Sequence, residues 1–164
     1  MGCGNGDAEA GHGPRLTAHW TGADTSAIAA PATAEWCDAL GVLEIVVMAG
    51  DTGVGLAIFR RGGVEPGAYR IRPPDVADTT PPSAAIALRW FSQTEAQGFQ
   101  SDSGELSLAR AADGTLSGRF SGSARAVSGS GRLRLTGAFE ELHVRPATTG
   151  CTAPPPRDTT PGVN

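Results

Sequence analysis

The sequence contains no lysine, so arginine supplies all 13 basic side chains of its 164 residues. The sequence also contains 17 acidic side chains, so the formal net charge is −4. General nucleic-acid binders need a dense basic surface to neutralise phosphates, so this balance argues against such a partner. The arginines themselves have two interpretations: a GC-rich coding sequence, or bidentate anchors for carboxylates and lipid phosphates.

The chain also lacks the patterns that predict long helices. No window of about 11 residues carries apolar side chains at helical spacing, so helix is a minor component at most. The longest apolar run, residues 42–49, contains Glu44 and is far shorter than the roughly 20 residues that cross a bilayer. We therefore expect no transmembrane helix.

Motifs for catalysis and metal binding are equally scarce. The histidines at positions 12, 19 and 143 have no metal-ligand spacing, and no Gly-x-Ser-x-Gly elbow or phosphate-binding loop occurs. Asp51-Thr52-Gly53 resembles the catalytic tripeptide of retroviral-type aspartic proteases, which implies a protease that pairs two such loops. The alternative is a tight hairpin turn between residues 42–49 and 53–59. We expect no enzyme activity, no metal and no cofactor.

Alternating apolar and polar residues between positions 104 and 144 are the most regular feature that the sequence does contain. Leu106 and Leu108 begin the alternation, and turns follow at Asp113-Gly114 and at residues 128–131. In the middle stretch, the side with small or apolar residues comprises Leu116, Gly118, Phe120, Gly122, Ala124 and Ala126. A period of two predicts a three-stranded antiparallel meander with one buried face, and the Asp-Gly pair predicts a tight hairpin.

The alternation slips near the end of the meander. Phe139 and the apolar residues before it have odd numbers, whereas Leu142 and Val144 have even numbers. One extra residue at Glu140-Glu141 would turn the later side chains inward again, so we predict a β-bulge there.

Shorter stretches with alternating or wholly apolar character predict further strands outside the meander. They lie at residues 16–21, 33–37, 42–49, 53–59, 66–71 and 84–91, with a loop over residues 22–31. Residues 42–49 and 53–59 are apolar on both faces, so we expect both faces to be covered, with the strands lying centrally or beneath a partner. About eight or nine short strands without intervening helices predict an all-β fold.

Within the all-β class we predict an antiparallel β-sandwich, with a small β-barrel as the alternative. Residues 73–82 begin and end with paired prolines, and such a connection suits a crossing between two sheets better than the even hairpins of a barrel. The length allows one domain, residues 15–151. A glycine-rich tether of residues 1–14 precedes it, and a Pro/Thr-rich tail of residues 152–164 follows it.

The positions of the cysteines predict a disulfide. Cys37 ends an early predicted strand and Cys151 lies just beyond the last one, so the two are well placed to bridge, leaving Cys3 as the odd cysteine. A disulfide implies an oxidising compartment. The alternative is a pair of reduced thiols in a cytosolic protein.

Cys3 lies in a sequence that carries a resemblance of its own. Gly2-Cys3, followed by Gly4-Asn5-Gly6-Asp7, resembles the start of a mature bacterial lipoprotein. In that family a cysteine after a small residue is acylated and a flexible tether follows, so the resemblance implies a lipid anchor at Cys3. An exposed free thiol is the alternative. One acyl chain binds a membrane weakly, so stable anchoring also needs a second chain or a protein contact.

Five arginines are expected on the outer face of the meander: Arg110, Arg119, Arg125, Arg132 and Arg134. This face is either a solvated surface balanced by Glu105 and Glu140, or a docking surface for an acidic protein or anionic lipid headgroups. The large aromatic residues are expected in the core, and an exposed one would mark an interface. They are Trp20, Trp36, Trp90, Phe91 and Phe99.

In overall character, an arginine-only β domain on a cysteine-bearing tether resembles the membrane-extrinsic subunits that hold a bacterial photosynthetic reaction centre within its light-harvesting ring. The resemblance implies a non-catalytic, periplasmic structural subunit whose partners are the subunits of a membrane protein complex. The alternative hypothesis is a periplasmic binding module for a small apolar ligand, with a cavity lined by Val54, Ile58, Leu88 or Phe120. The aspartic protease is a remote third.

Overall fold

The computed structural model describes residues 13–91 and 94–151. Cys3, most of the tether and the tail of residues 152–164 lie outside this part, and so do the predictions that concern them. In the described residues one single-turn helix, α1 (Pro74–Ala77), accompanies the strands. The strands are β1 (Arg15–Gly22), β2 (Ser26–Cys37), β3 (Val42–Ala49), β4 (Thr52–Phe59), β5 (Gly67–Ile71), β6 (Ser83–Phe91), β7 (Ala96–Arg110), β8 (Leu116–Ala126), β9 (Arg132–Leu142) and β10 (Val144–Pro146).

The strands form one sheet that closes on itself. They hydrogen-bond in the order β1-β9-β8-β7-β5-β6-β4-β3-β2-β10, and β1 also pairs with β2. This last ladder, from Arg15 opposite Pro31 to Trp20 opposite Ser26, closes nine strands into a barrel. The all-β prediction is therefore confirmed, whereas the β-sandwich is wrong and the alternative barrel is right.

The proline-rich segment that favoured a sandwich has a smaller role than expected. It carries the chain, through α1, from β5 to β6, which lie side by side and parallel. Around the rest of the ring, strands that follow one another in the sequence are antiparallel neighbours. The irregular sequence thus inserts one short strand into an up-and-down barrel.

The alternation in strand direction divides the turns between two ends of the barrel. The proximal end holds the start of β1 and the loops that follow Cys37, Phe59 and Arg110. The distal end holds the turns that follow Gly22, Ala49, Phe91 and Ala126. Strand β10 runs parallel to the last part of β2 and so lies at the proximal end.

The predicted disulfide is confirmed at the proximal end, where Cys37 and Cys151 are bonded with their Cα atoms 5.3 Å apart. The bond spans 114 positions of the sequence and ties the segment after β10 to the end of β2. Closing so long a loop contributes about 5 kcal/mol in the chain-entropy model. Beside it, the amide of Ala147 donates a hydrogen bond to the carbonyl of Trp36 at 2.9 Å.

Inward side chains from all nine barrel strands form one continuous apolar core. The predicted alternation holds in β8 and β9, where the buried residues are Leu116, Phe120, Ala124, Leu133, Leu135 and Phe139. Gly118 pairs with Phe139, and Phe120 pairs with Gly137. A Cβ atom at either glycine would collide with the paired ring, so glycine provides the space into which each ring packs.

An aromatic stack fills the distal part of the interior. The ring centroids of Trp20 and Trp90 are 5.7 Å apart, and those of Trp90 and Phe99 are 5.2 Å apart. Both pairs are stacked, an arrangement that adds about 0.5–1.5 kcal/mol beyond the burial of area. The prediction that these three residues belong to the core is confirmed. Phe91 differs, since it is exposed.

The predicted bulge in β9 is confirmed. Between the pairs Leu116–Leu142 and Gly118–Phe139, strand β9 has one residue more than β8. Glu141 has a φ of 56°, the left-handed conformation that accommodates the extra residue.

One local prediction is wrong. Residues 22–31 are not a loop, because β2 begins at Ser26 and continues through Pro31. Pro31 occupies the last pair with β1, one residue before β2 begins to pair with β3, so its missing amide hydrogen falls outside the doubly bonded part of the strand. The turn predicted at Asp113-Gly114 is confirmed: Gly114 has a φ of 88°, its amide donates to the carbonyl of Ala111 at 3.0 Å, and the Ala111 amide donates to the carbonyl of Thr115 at 2.9 Å.

Candidate functional site

The residues expected to line a ligand cavity are part of the packed interior instead. Val54, Ile58, Leu88 and Phe120 are each no more than 3% exposed and belong to the continuous core. Within residues 13–91 and 94–151, no three His, Cys, Asp or Glu side chains come together as a metal would require. The same part of the chain contains no helix of the length and apolarity needed to cross a bilayer. The candidate sites therefore lie on the outer surface.

Four of the five predicted arginines lie on the outside of β8 and β9 and form what we call the arginine face: Arg119, Arg125, Arg132 and Arg134. All four are exposed. Arg125 pairs directly with Arg132 across the two strands, and Arg134 pairs with Ser123. Arg119 lies further from the distal end, beyond the pair of Ser121 with Thr136.

Arg110 does not belong to the arginine face, and its position in β7 explains why. It has the same parity as the buried Leu106 and Leu108, so its side chain leaves the strand on the inward side, at the proximal rim. There its Nη2 atom donates a hydrogen bond to the carbonyl of Val64 at 2.8 Å. Arg110 therefore braces the loop before β5 and is not part of the predicted cluster.

One carboxylate forms an ion pair with an arginine of this face. The Nη1 atom of Arg132 donates to Oδ2 of Asp102 at 2.8 Å. Asp102 lies in a register irregularity of β7, between the paired residues Ser101 and Ser103, and such bulges re-aim a side chain. The two carboxylates expected to balance the face lie in register with other arginines, Glu105 with Arg70 and Glu140 with Arg15.

Hydroxyl groups fill the space between the arginines. Ser103 and Ser123 share a hydrogen bond of 3.0 Å between their Oγ atoms. A shallow depression there is lined by Ser103, Ser121, Ser123, Arg134 and Thr136, by the carboxylate-bearing Glu105 and by backbone of the same strands. Hydroxyl and guanidinium donors on one surface suit a partner that presents carboxylate or phosphate oxygens.

A second outer surface is apolar. It consists of the outward residues near the distal ends of β3, β4 and β6, and we call it the apolar face: Val46, Met48, Gly53, Gly55, Ala87 and Phe91. A central position is wrong for β3, because Val46 is 43% and Met48 46% exposed, whereas a place beneath a partner stays a prediction. Phe91 is also exposed, so the expectation that an exposed aromatic marks an interface applies to it and stays a prediction.

A third feature is a groove at the proximal end, beside the disulfide. Its apolar walls are Trp36, Val64, Val144 and Pro146, and Asp38 and Arg145 lie at its rim. The groove encloses about 460 Å³, a volume typical of a small-molecule site.

The Asp51-Thr52-Gly53 sequence forms the hairpin turn that was the alternative to a catalytic loop. Ala49 pairs with Thr52, so Gly50 and Asp51 are the two turn residues between β3 and β4. Gly50 adopts a φ of 58°, as such turns require, and Asp51 is exposed.

The β7–β8 loop contains a carboxyl group, Asp113, whose pKa the fold lowers. The Thr115 hydroxyl donates to Oδ1 of Asp113 at 2.7 Å, and the Thr115 amide donates to the same atom at 3.0 Å. These bonds, the hydroxyl bond first, lower the pKa of Asp113 below its ordinary value, and His143 adds a smaller favourable charge interaction.

The sequence contains a signal for the apolar face, because strands that are apolar on both faces are expected to lie centrally or beneath a partner. Apolar residues on both sides of β3 and β4 predict that both sides are covered. They do not indicate what covers the second side. Comparisons of the chain with protein-family models, with curated proteins and with solved structures found no match.

Proposed function

We propose that this protein is a non-catalytic, extracytoplasmic accessory subunit that docks on an acidic surface of a membrane protein assembly through its arginine face. The supporting observation is the direct pair of Arg125 and Arg132, exposed beside Arg134. Like charges opposite each other destabilise a sheet, and Asp102 pairs with one of them only. A partner that supplies carboxylates would compensate this repulsion with bidentate bonds.

The disulfide supports an extracytoplasmic location, because such bonds persist in oxidising compartments. An acyl group on Cys3 would add an anchor on the membrane. The ten residues from Cys3 to the start of the described chain reach at most roughly 35 Å when fully extended. Anchoring would thus keep the proximal end of the barrel close to the bilayer and raise the local concentration of the arginine face near its partner.

Subunits that brace a photosynthetic reaction centre within its antenna ring are one instance of this proposed class. The filled core fits a structural role, since its packed side chains offer rigidity rather than a binding cavity.

The test is purification of the protein with its assembly from native membranes, comparing wild type with Arg125→Glu/Arg134→Glu. Arg61→Glu is the matched control, because Arg61 is exposed in the loop after β4 at the proximal end. We expect the wild type and the control to co-purify with a membrane protein complex and the double variant to be found free. Equal recovery of all three would contradict the proposal.

Vesicles distinguish an acidic protein from anionic lipid as the partner. If the partner is a protein, the unacylated chain should not bind vesicles of anionic phospholipid at about 0.15 M salt. Retention on such vesicles, lost in Arg125→Glu/Arg134→Glu, would assign the face to lipid headgroups instead.

A second candidate function is binding of a small apolar ligand in the proximal groove. It is favoured by the position of Trp36, which forms part of an apolar wall that opens to solvent. An apolar fluorescent probe such as anilinonaphthalene sulfonate should bind the wild type and lose most of its fluorescence with Val64→Arg. Leu40→Arg, an exposed position in the turn after β2, is the control. Equal probe fluorescence in both variants would exclude this site.

A further inference from the structure

The large apolar side chains that the described part of the chain exposes are concentrated on one side of the barrel. Five such residues are exposed, and four of them, Val46, Met48, Phe91 and Val127, lie on or beside the apolar face. Val127 is 62% and Phe91 53% exposed. Val127 adjoins the face because it packs beside Gly98, which pairs with Arg89 on β6. Monomeric proteins rarely concentrate exposed apolar groups in this way unless the patch is an interface.

The apolar face has a ridge and a groove side by side. Val46 pairs with Gly55, and Met48 pairs with Gly53, so two long side chains of β3 stand beside two glycines of β4. A depression of about 220 Å³ lies over Gly55 and Ala87, and the sulfur of Met48 covers the neighbouring Gly53. The space above Gly55 is open, since a Cβ atom built there would meet nothing within 4 Å. The ridge of one molecule therefore has the shape to enter the groove of another.

The charges on this face are also arranged in a complementary way. Arg89 makes no hydrogen bond or ion pair with any residue that the structure describes, although apolar residues surround it. Glu44 is likewise without a cation in that part of the chain, and it stands opposite a second carboxylate, Glu35. Arg145 lies opposite Glu35 on β10 without forming an ion pair. Like charges opposite each other destabilise a sheet, so Glu44 gains from a cation supplied by a partner.

Glu44 and Arg89 lie at equivalent distances on either side of Gly55. Gly55 pairs with Val46 on one side and with Ala87 on the other. Glu44 is two residues from Val46 and Arg89 two residues from Ala87, in opposite directions along the barrel. Strand geometry separates the two charges by roughly 16 Å, with Gly55 midway. Consider a two-fold axis that lies in the interface, passes over Gly55 and is perpendicular to the line from Glu44 to Arg89. This axis brings Glu44 of each copy to Arg89 of the other.

From this self-complementarity we infer that the apolar face binds a second copy of this chain, forming a two-fold symmetric dimer. Val46 of each copy lies over the glycine groove of its partner, and two ion pairs between Glu44 and Arg89 flank the axis. A two-fold interface requires one patch to match itself, which this face does in both shape and charge. The dimer goes beyond the docking role of the arginine face, which lies on β8 and β9 and stays open to solvent in it.

Sedimentation velocity on the full, unacylated chain tests the dimer. Two barrels that touch along one face bury less than a standard interface of about 800 Å² on each partner, so we expect a dissociation constant in the micromolar range, measurable between about 5 and 200 µM protein. Gly55→Val should weaken the dimer at least about tenfold by filling the groove. Folding should survive, because the position is open and valine favours strands. Ser121→Val, an outward change on β8, is the matched control and should leave the dimer unchanged.

A charge exchange tests the geometry separately. Glu44→Arg and Arg89→Glu should each weaken the dimer by about tenfold, because each brings like charges together. The double variant Glu44→Arg/Arg89→Glu should restore it. A wild type that stays monomeric up to about 200 µM, or a dimer that Gly55→Val leaves intact, would overturn the inference. Arg125→Glu/Arg134→Glu should dimerise like the wild type, so failure of the docking proposal and failure of the dimer can be told apart.

Discussion

The apolar face and the arginine face are built from strands of the same barrel, yet their outer surfaces have opposite chemistry. On β3, β4 and β6 one outward row reads Val46, Gly55 and Ala87. On β8 and β9 the outward rows pair Arg125 with Arg132 and Ser123 with Arg134. Beneath both faces the inward residues are equally apolar and buried. Closure of the barrel fixes the inward side chains, and contacts with partners are free to shape the outward ones.

The difference also separates two kinds of contact by their physical basis. Burial of apolar side chains is insensitive to moderate salt, whereas exposed guanidinium groups act through charges that salt screens. The two faces are therefore expected to respond differently to the same perturbation. Each of the following predictions uses that difference or the shared core beneath it.

The largest effect is expected from truncation of the core that the faces share. Phe120→Ala, beneath the arginine face, should lower the free energy of unfolding by about 3–5 kcal/mol, because it leaves a cavity and uncovers Gly137. Leu56→Ala, beneath the apolar face, should lower it by about 2–5 kcal/mol. Urea unfolding of both variants measures these losses. A loss below about 1 kcal/mol on one side only would show that the two faces do not rest on one packed core.

Removal of the disulfide is expected to have the next largest effect. The variant Cys37→Ala/Cys151→Ala should be less stable by about 2–5 kcal/mol, since the long loop is no longer closed in the unfolded chain. Thermal unfolding with and without reductant measures the loss, and reductant should leave the double variant unaffected. The bond lies at the proximal end, so dimerisation and arginine-face binding of the folded variant should both persist. An unchanged melting temperature would mean that the cross-link adds no stability.

Salt should separate the two faces without any mutation. Raising ionic strength from about 0.1 to 1 M shortens the Debye length from about 10 to 3 Å. We expect protein bound through the arginine face to be released, while the dimer weakens only slightly through its two ion pairs. Co-purification and sedimentation at both salt concentrations measure the two responses. If the dimer dissociates at a lower salt concentration than the one that releases the protein from its assembly, the assignment of the two faces is reversed.

The smallest effect is expected from the loop that leads into the arginine face. The lowered pKa of Asp113 means that the folded state binds this proton less readily than the unfolded chain. Its stabilising contribution is complete above the ordinary value of 3.8 and is lost as the pH falls through the lowered folded pKa. Asp113→Asn should remove that part of the acid dependence. Carboxyl NMR titration and unfolding between about pH 2 and 6 measure it, and an Asp113 titration at the ordinary value would contradict it.

Local sequence patterns predicted the parts of the fold that depend on local geometry. The alternation in β8 and β9, the bulge at Glu140-Glu141 and the disulfide all follow from parity and position. Barrel closure did not follow, because it depends on the ladder between β1 and residues 26–31, where alanines and Pro31 give little strand signal. The arginine face was predictable from parity except for Arg110, whose shared parity with Leu108 was a usable sign that it points inward.

The apolar face shows the limit of such prediction most clearly. Val46 and Met48 predicted from the sequence that the second side of β3 is covered. Whether that side is covered by the same chain or by another molecule depends on closure of the barrel around it. Glu44 and Arg89 are 45 positions apart in the sequence, and only the register of β3, β4 and β6 places them symmetrically about Gly55.

Arginine modification by phenylglyoxal, quantified by mass spectrometry, tests the two-face account most directly. In the purified dimer we expect Arg89 to be protected, while Arg125 and Arg134 react as fast as the exposed Arg61. In native membranes Arg125 and Arg134 should become protected as well, with Arg61 still reactive. If Arg89, Arg125 and Arg134 all react like Arg61 in both states, neither face is an interface and the account is wrong.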